Sequence, residues 1–259
     1  MSEGLFAETV SLSLGGKAVL NRVTAQFSRG ELVAIVGPNG AGKSSLLSCL
    51  AGLRRPDTGQ VSLDGAIVTQ IPARRRARVM AFLAQTPEIA WDVDVRTFVG
   101  LGRTPHLGAF GPSAEDAAAM DQAIATTGLD DFVERPITRL SGGERARALI
   151  ARALAGQTDW LLADEPLTGL DPGHALDTVG LFRRLAHEQG KGVIVTLHDL
   201  TLAARFADRV LLLDRGCLVA DGAPGKALTP QALAMAYGVA TRTHAGEAGP
   251  LIEILRRVD

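Results

Sequence analysis

Gly37-Pro38-Asn39-Gly40-Ala41-Gly42-Lys43-Ser44 has the spacing G-x-x-x-x-G-K-S. It lies between an apolar run at 31–36 and a stretch, 41–50, that reads as a helix. Glycines at these positions let successive N–H groups point into one concavity, and the positive end of the helix faces the same point. That concavity suits the phosphates of a nucleoside triphosphate. Lys43 adds a mobile cation for the β- and γ-phosphates, the Ser44 hydroxyl is placed to ligate Mg²⁺, and Ser45 reaches the α-phosphate. A second constellation ends another apolar run, Leu161-Leu162-Ala163-Asp164-Glu165-Pro166. Functional residues of a parallel sheet gather at the carboxyl ends of its strands. Asp164 is therefore suited to hold Mg²⁺, directly or through water, and Glu165 to polarise an attacking water as general base. A third feature is Ser141-Gly142-Gly143-Glu144 after Leu140. A Ser at a helix N-cap with glycines beside it leaves N–H groups open to an anion.

These residues need a scaffold that brings strand ends together, and the periodicities supply one. Val10, Leu12 and Leu14 alternate with Ser11 and Ser13, the period of a half-buried strand, and Gly15-Gly16 breaks it. Further strands are expected at 24–27, 31–36, 60–64 and 79–83, with a turn at Pro56-Asp57-Thr58-Gly59. Between about 92 and 156 the pattern turns helical. One helix is capped by Ser113, carries Glu115 and Asp116 in its first turn and stops at Gly128; a second spans about 141–154. Strand and helix then alternate: 160–163, 173–188, 192–197, 203–206 and 210–213. Such alternation implies a parallel sheet with crossover helices. The tail reads as a helix at 230–237 followed by one or two edge strands. The expected fold class is α/β with a mostly parallel sheet, and the helical stretch of about 86–156 forms a lobe inserted in a single domain of residues 1–259.

The chain has 27 basic and 28 acidic residues, net charge −1, so no overall field favours nucleic acid or an anionic membrane. The run Arg74-Arg75-Arg76 with Arg78 lacks interleaved aromatics and reads as a solvated helix face. Cys49 and Cys217 match no metal-ligand spacing and read as reduced core residues. Met1-Ser2-Glu3-Gly4 opens no signal peptide pattern, and no stretch reaches the roughly 20 apolar residues of a spanning helix. Action at a membrane is expected to go through another protein.

Six segments, in order, resemble the ABC ATPase family over essentially the whole chain. They are the Walker A loop (37–44), a Q-loop glutamine in Ala81-Phe82-Leu83-Ala84-Gln85, the signature at 140–144 and Walker B at 160–165. The D-loop Gly169-Leu170-Asp171-Pro172 and a switch histidine in Thr196-Leu197-His198-Asp199 complete the set. The resemblance implies a P-loop NTPase with a RecA-like core, an N-terminal antiparallel β subdomain and the inserted helical lobe. It also implies a homodimer in which two ATP molecules are sandwiched head to tail. Each ATP then lies between the Walker A loop of one subunit and Ser141, Gly142 and Gly143 of the other. Gln85 is implied to sense Mg²⁺ and the lytic water, Asp171 to cross the dimer interface, and His198 to contact the γ-phosphate. The family's aromatic residue that stacks on adenine is replaced here by Leu14, which implies weaker apolar contact with the base.

Leu101-Gly102-Arg103-Thr104-Pro105-His106-Leu107-Gly108, the stretch 197–208, Asp221-Gly222-Ala223-Pro224 and Leu228-Thr229-Pro230 resemble the subfamily that serves siderophore, haem and cobalamin importers. The implied partners are a polytopic permease docked at about 86–111 and, indirectly, an external substrate-binding protein. The implied location is the cytoplasmic face of the plasma membrane. Phe98, Leu101 and Leu107 are candidates either for that docking or for packing within the lobe; Trp91 is a weaker marker of docking, and His106 is assigned no metal role. Two other readings compete: the ATPase subunit of an exporter, and a soluble ABC ATPase acting on nucleic acid or ribosomes. The 101–108 segment disfavours the first; a single Walker A, a single signature and no heptad run disfavour the second.

Overall fold

The computed structural model describes residues 3–85, 92–108 and 111–258. Strands β1 (Leu5–Leu14) and β2 (Lys17–Phe27) form a hairpin, and β3 (Leu32–Val36) leads through the glycine loop into α1 (Lys43–Leu50). β4 (Thr58–Leu63) and β5 (Ala66–Ile67) follow, then α2 (Ala73–Val79) and β6 (Met80–Leu83). Next come α3 (Val95–Gly100), α4 (Ala114–Thr126) and α5 (Gly142–Ala155), then β7 (Trp160–Ala163), α6 (Pro172–His187) and β8 (Gly192–Thr196). The chain closes with α7 (Leu200–Phe206), β9 (Arg209–Asp214), β10 (Cys217–Gly222), α8 (Pro224–Ala227), α9 (Pro230–Tyr237), β11 (Val239–Gly246) and β12 (Gly249–Arg257).

The main sheet has six strands in the order β10-β9-β3-β8-β7-β6, and every pair except β10/β9 is parallel. Every residue of β3, β7 and β8 is buried, as apolar runs without alternation require when both faces are covered. Along β3 the side chains take turns. Val33 and Ile35 enter a core shared with α1 and the four-stranded antiparallel sheet β2-β1-β4-β5, while Leu32, Ala34 and Val36 enter a second core with α6 and α7. Leu162 in β7 is fully buried in the first core, and its truncation to Ala costs about 2–5 kcal/mol. The helices between β6 and β7 build a third core from Val95, Phe98, Ile124, Ile137 and Ala148. Arg103, 3% exposed, ties this group together: its Nε donates to Asp116 Oδ1 at 2.7 Å and its Nη1 to Ala155 O at 2.9 Å.

Several expectations are corrected. The turn expected to run to Gly59 ends earlier, because β4 starts at Thr58. Gly59, at φ +79, lets β4 pass the carbonyls of Glu8 and Thr9 where the β1/β4 register shifts. The C-terminal strands are not edges of the main sheet. β11 and β12 form their own antiparallel ribbon, held to α7 by Ile252 N donating to Thr201 Oγ1 and Arg205 Nε donating to Ala248 O. Cys49 is buried and its thiol is pushed up to about 11 by burial, but Cys217 is exposed at the start of β10. The α2 arginines are not merely solvated. Arg74 and Arg78 both donate through Nε to Pro105 O at 2.9 Å, and Arg74 Nη2 also donates to Leu107 O, so α2 anchors the 101–108 segment.

Candidate active site

The parallel register decides what meets what. β3, β8, β7 and β6 lie side by side, so the loops leaving their carboxyl ends emerge along one rim. Ser44 follows β3, Thr196 and His198 end or follow β8, Asp164 and Glu165 follow β7, and Gln85 follows β6.

After β3 the chain turns sharply. Gly37 has φ +153, and a Cβ there would lie 2.2 Å from Leu213 O of β9. Gly42, at φ +101, caps α1, and a Cβ on it would lie 2.5 Å from Val19 O. Both positions exclude a side chain on conformational and steric grounds. Lys43 is 5% exposed and donates from Nζ to Gly37 O at 2.8 Å and Pro38 O at 3.2 Å. Burial lowers its pKa, while the nearby Glu165 and Asp164 carboxylates oppose that shift. The loop borders an open cavity of about 650 Å³ lined by Asn39, Gly40, Gly42, Lys43, Ser44 and Ser45. Gln85, Glu165, His198 and Val19 of β2 complete its lining.

Asp164 is 7% exposed, and its Oδ1 accepts from Ser44 Oγ at 3.0 Å and from Thr196 Oγ1 at 2.8 Å. A hydroxyl and a carboxylate that converge in this way, at the foot of a phosphate loop, suit Mg²⁺. That ion takes one or two protein oxygens and completes its shell with phosphate and water. Among the described residues no cluster of three or more His, Cys, Asp or Glu offers a cage built from protein alone.

Glu165 sits at φ +47 with its side chain 12% exposed. Its Oε1 lies 2.6 Å from His198 Nε2, and its Oε2 accepts from Gln85 Nε2. Three residues chosen from the sequence thus meet on one carboxylate. Thr196, which carries no signal of its own in the sequence beyond lying in the switch-histidine segment, holds the two acids in place: Glu165 N donates to its Oγ1 at 2.7 Å. Val19 was also missed; it, rather than Leu14, lines the cavity, while the partly buried Leu14 packs against the first core.

Ser141, Gly142, Gly143 and Asp171 lie away from this cavity. Ser141 caps α5 in a reciprocal box: its N donates to Glu144 Oε2 at 2.8 Å and its Oγ accepts from Glu144 N at 3.3 Å. Gly142 borders a separate cleft of about 360 Å³ that Gln85 and Glu165 also reach. Asp171 caps α6 through His174 N at 3.0 Å.

Of the candidates for docking, Phe98 is 3% exposed inside the lobe core, which removes it from the surface. Leu101 is 41% exposed and borders a groove of about 290 Å³ with Ala77, Met80 and Phe82. Leu107 is half-buried. Trp91 and residues 86–90, 109 and 110 lie outside the described residues. His106 Nε2 lies 3.0 Å from Gly156 O, a structural contact.

The sequence profile of the ABC transporter family matches residues 20–168, and the chain belongs to that family. It is an ATPase whose hydrolysis is coupled to transport. A hemin import ATP-binding protein of Rhodopseudomonas palustris is 44% identical over 257 residues, covering 96% of this chain and 93% of that protein. A structure described as a metal-chelate type ABC transporter in an inward-facing conformation superposes with a TM-score of 0.85 at 25% identity, covering 98% of both chains. A dimeric ATP-binding cassette bound to ADP and Pi superposes at 0.76 with 27% identity, covering 85% of this chain and 98% of that one.

Proposed function

We propose that this chain is the ATP-hydrolysing subunit of an importer for a metal chelate such as haem, an iron-siderophore or cobalamin, working as a homodimer on a separate membrane permease. The carrying observation is the Glu165 carboxylate, held by Gln85 and His198 on the wall of the phosphate cavity. The hemin importer subunit matched along nearly the whole chain supports the cargo class. The dimeric cassette supports the assembly. Residues 1–259 act as one ATPase domain, with the lobe of about 86–156 inserted in its core.

In this reading the N–H groups of the glycine loop and the first turn of α1 hold the phosphates. Lys43 leaves the loop carbonyls for the β- and γ-phosphate oxygens, and Ser45 reaches the α-phosphate. Ser44 and Asp164 would hold Mg²⁺, with Gln85 at its edge; the ion, when bound, neutralises charge on the phosphate oxygens. Glu165 takes a proton from the attacking water as the water oxygen bonds to the γ-phosphorus and the bond from that phosphorus to its bridging oxygen breaks, leaving ADP and Pi. His198 orients the γ-phosphate. Ser141, Gly142, Gly143 and Asp171 serve the ATP of the second subunit. The groove beside Leu101, together with the segment 86–111, receives the permease, and the external binding protein acts only through that permease. Among the described residues no helix is long and apolar enough to cross a membrane; the peripheral place on the cytoplasmic face follows from the importer reading, which the hemin import relative supports.

Affinity isolation of the tagged chain from native membranes tests this reading. Recovery with a stoichiometric polytopic membrane protein supports it. Recovery from the soluble fraction with ribosomes or DNA overturns the transport assignment.

A further inference from the structure

Two segments that serve the second subunit's ATP in the proposed dimer, the start of α5 and the start of α6, touch each other within one chain. His174 stands at that contact. A Cβ built on Gly143 would lie 2.8 Å from His174 Cδ2 and 2.9 Å from its Cγ, so the imidazole lies directly against the Gly143 backbone. The same ring reaches Asp171: His174 Nδ1 lies 2.5 Å from Asp171 Oδ2, while His174 N donates to Asp171 Oδ1 at 3.0 Å. These bonds to His174 hold the Asp171 carboxyl below its ordinary pKa, which keeps it an anion and an acceptor. One residue away, a Cβ on Gly142 would make ordinary contact with Gly169 O at 3.7 Å, so the approach runs along both segments.

His174 is 41% exposed at its side chain and lies outside the phosphate cavity. A ring that serves only to cap α6 needs no neighbour on α5, because the Asp171 carboxylate already caps that helix through a backbone N–H. What the ring adds is a fixed spacing between Asp171 and Gly143. We propose that His174 is a positioning residue that locks Asp171 and the Ser141–Gly143 turn into one unit, so that each subunit presents a preassembled surface to the ATP held by its partner. The proposal rests on the head-to-tail dimer reading and deepens it. Gly143 then has two reasons to lack a side chain: the phosphate that approaches from the second subunit and the imidazole behind it.

The prediction separates binding within one subunit from closure between two. In the full chain carrying Glu165→Gln, ATP-driven dimerisation is followed by light scattering across a protein concentration series. Binding of a fluorescent ATP analogue is measured at concentrations where the chain is monomeric. His174→Ala is expected to leave the analogue's Kd and the melting temperature unchanged, and to raise the concentration for half-dimerisation by about tenfold, the scale of a coupling between residues in contact. His174→Asn, which keeps a donor for Asp171, is expected to recover part of the loss. Dimerisation of His174→Ala at the parent's concentration overturns the proposal. So does a parallel loss of analogue binding and melting temperature in both variants, since that is the mark of a purely structural residue. If the Glu165→Gln parent itself stays monomeric at saturating ATP, the dimer reading falls and the proposal falls with it.

Discussion

Thr196 and Asp164 are joined through one buried hydroxyl: Thr196 Oγ1 donates to Asp164 Oδ1 at 2.8 Å and accepts the Glu165 N–H at 2.7 Å. Thr196→Val keeps the shape and removes both bonds. It leaves a partly buried N–H unpartnered, a cost of about 1 kcal/mol or more. Asp164 and Glu165, the proposed Mg²⁺ ligand and general base, lose their common support, so kcat for ATP is expected to fall about tenfold or more. Thr196→Ser retains the hydroxyl and most of the activity. Phosphate release and urea midpoints on both variants check this; equal kcat for Val and Ser contradicts it.

Lys43 offers a direct test of phosphate binding. Its Nζ donates to Gly37 O and Pro38 O within the glycine loop. Lys43→Ala removes charge-assisted hydrogen bonds, each worth about 1.5–3 kcal/mol, and is expected to raise the Kd for ATP about 10- to 100-fold. Equilibrium binding of a fluorescent analogue reads this, with circular dichroism to confirm that the loop still folds.

Much of this was legible in the sequence because it is local. The phosphate loop, the acid pair and the Ser141 cap are contiguous runs whose backbone geometry their own residues dictate, and the apolar runs before them have the length and composition of buried parallel strands. What was not legible depends on register. Thr196 acquires its partners only because β8 lies beside β7, with Val195 opposite Ala163. His174 acquires Gly143 only because α6 starts beside α5. Cys217 reads as apolar by type, yet it opens a hairpin strand at the sheet edge, where it is exposed. The tail strands have the β pattern, but periodicity does not say which sheet they join; the contacts through Thr201 and Arg205 do.

The family resemblance implies that the nucleotide base meets residue 14, a position that does not line the cavity with its present leucine. Leu14 packs against the core, and Val19 is the apolar residue that lines the cavity. Leu14→Tyr supplies a ring for stacking, and an aromatic contact contributes about 0.5–1.5 kcal/mol. ATP affinity is expected to rise by about two- to tenfold, with a smaller gain for a triphosphate bearing a pyrimidine. Competition binding of ATP and CTP to parent and variant decides it; an unchanged ATP to CTP ratio means that residue 14 does not meet the base.

Asp116 contributes to the acid sensitivity of the helical lobe, beside Asp94 and Glu144, whose carboxyls are also held below the ordinary range by helix-cap hydrogen bonds. The Ser113 backbone N–H, then the Arg103 guanidinium and the Ser113 hydroxyl hold its carboxyl down to about 2. In an unfolded chain an Asp titrates near 3.9. A depressed folded pKa means that the contribution is complete above the unfolded value and is lost as pH falls through the interval from about 4 to about 2. Asp116→Asn removes this dependence. Urea midpoints across that interval are expected to fall more steeply for the parent than for the variant; parallel curves contradict the assignment.

In the proposed function, ATP hydrolysis at Glu165 drives entry of a metal chelate. Uptake of labelled haem, ferric siderophore and cobalamin by cells of the source organism lacking this chain, complemented with the parent or with Glu165→Gln, tests it most directly. The parent is expected to restore uptake of one chelate, and Glu165→Gln, short of a general base worth about 10²- to 10⁴-fold, to restore none. Equal restoration by both, or normal uptake of all three chelates without the chain, rules out this role for Glu165 or for the chain.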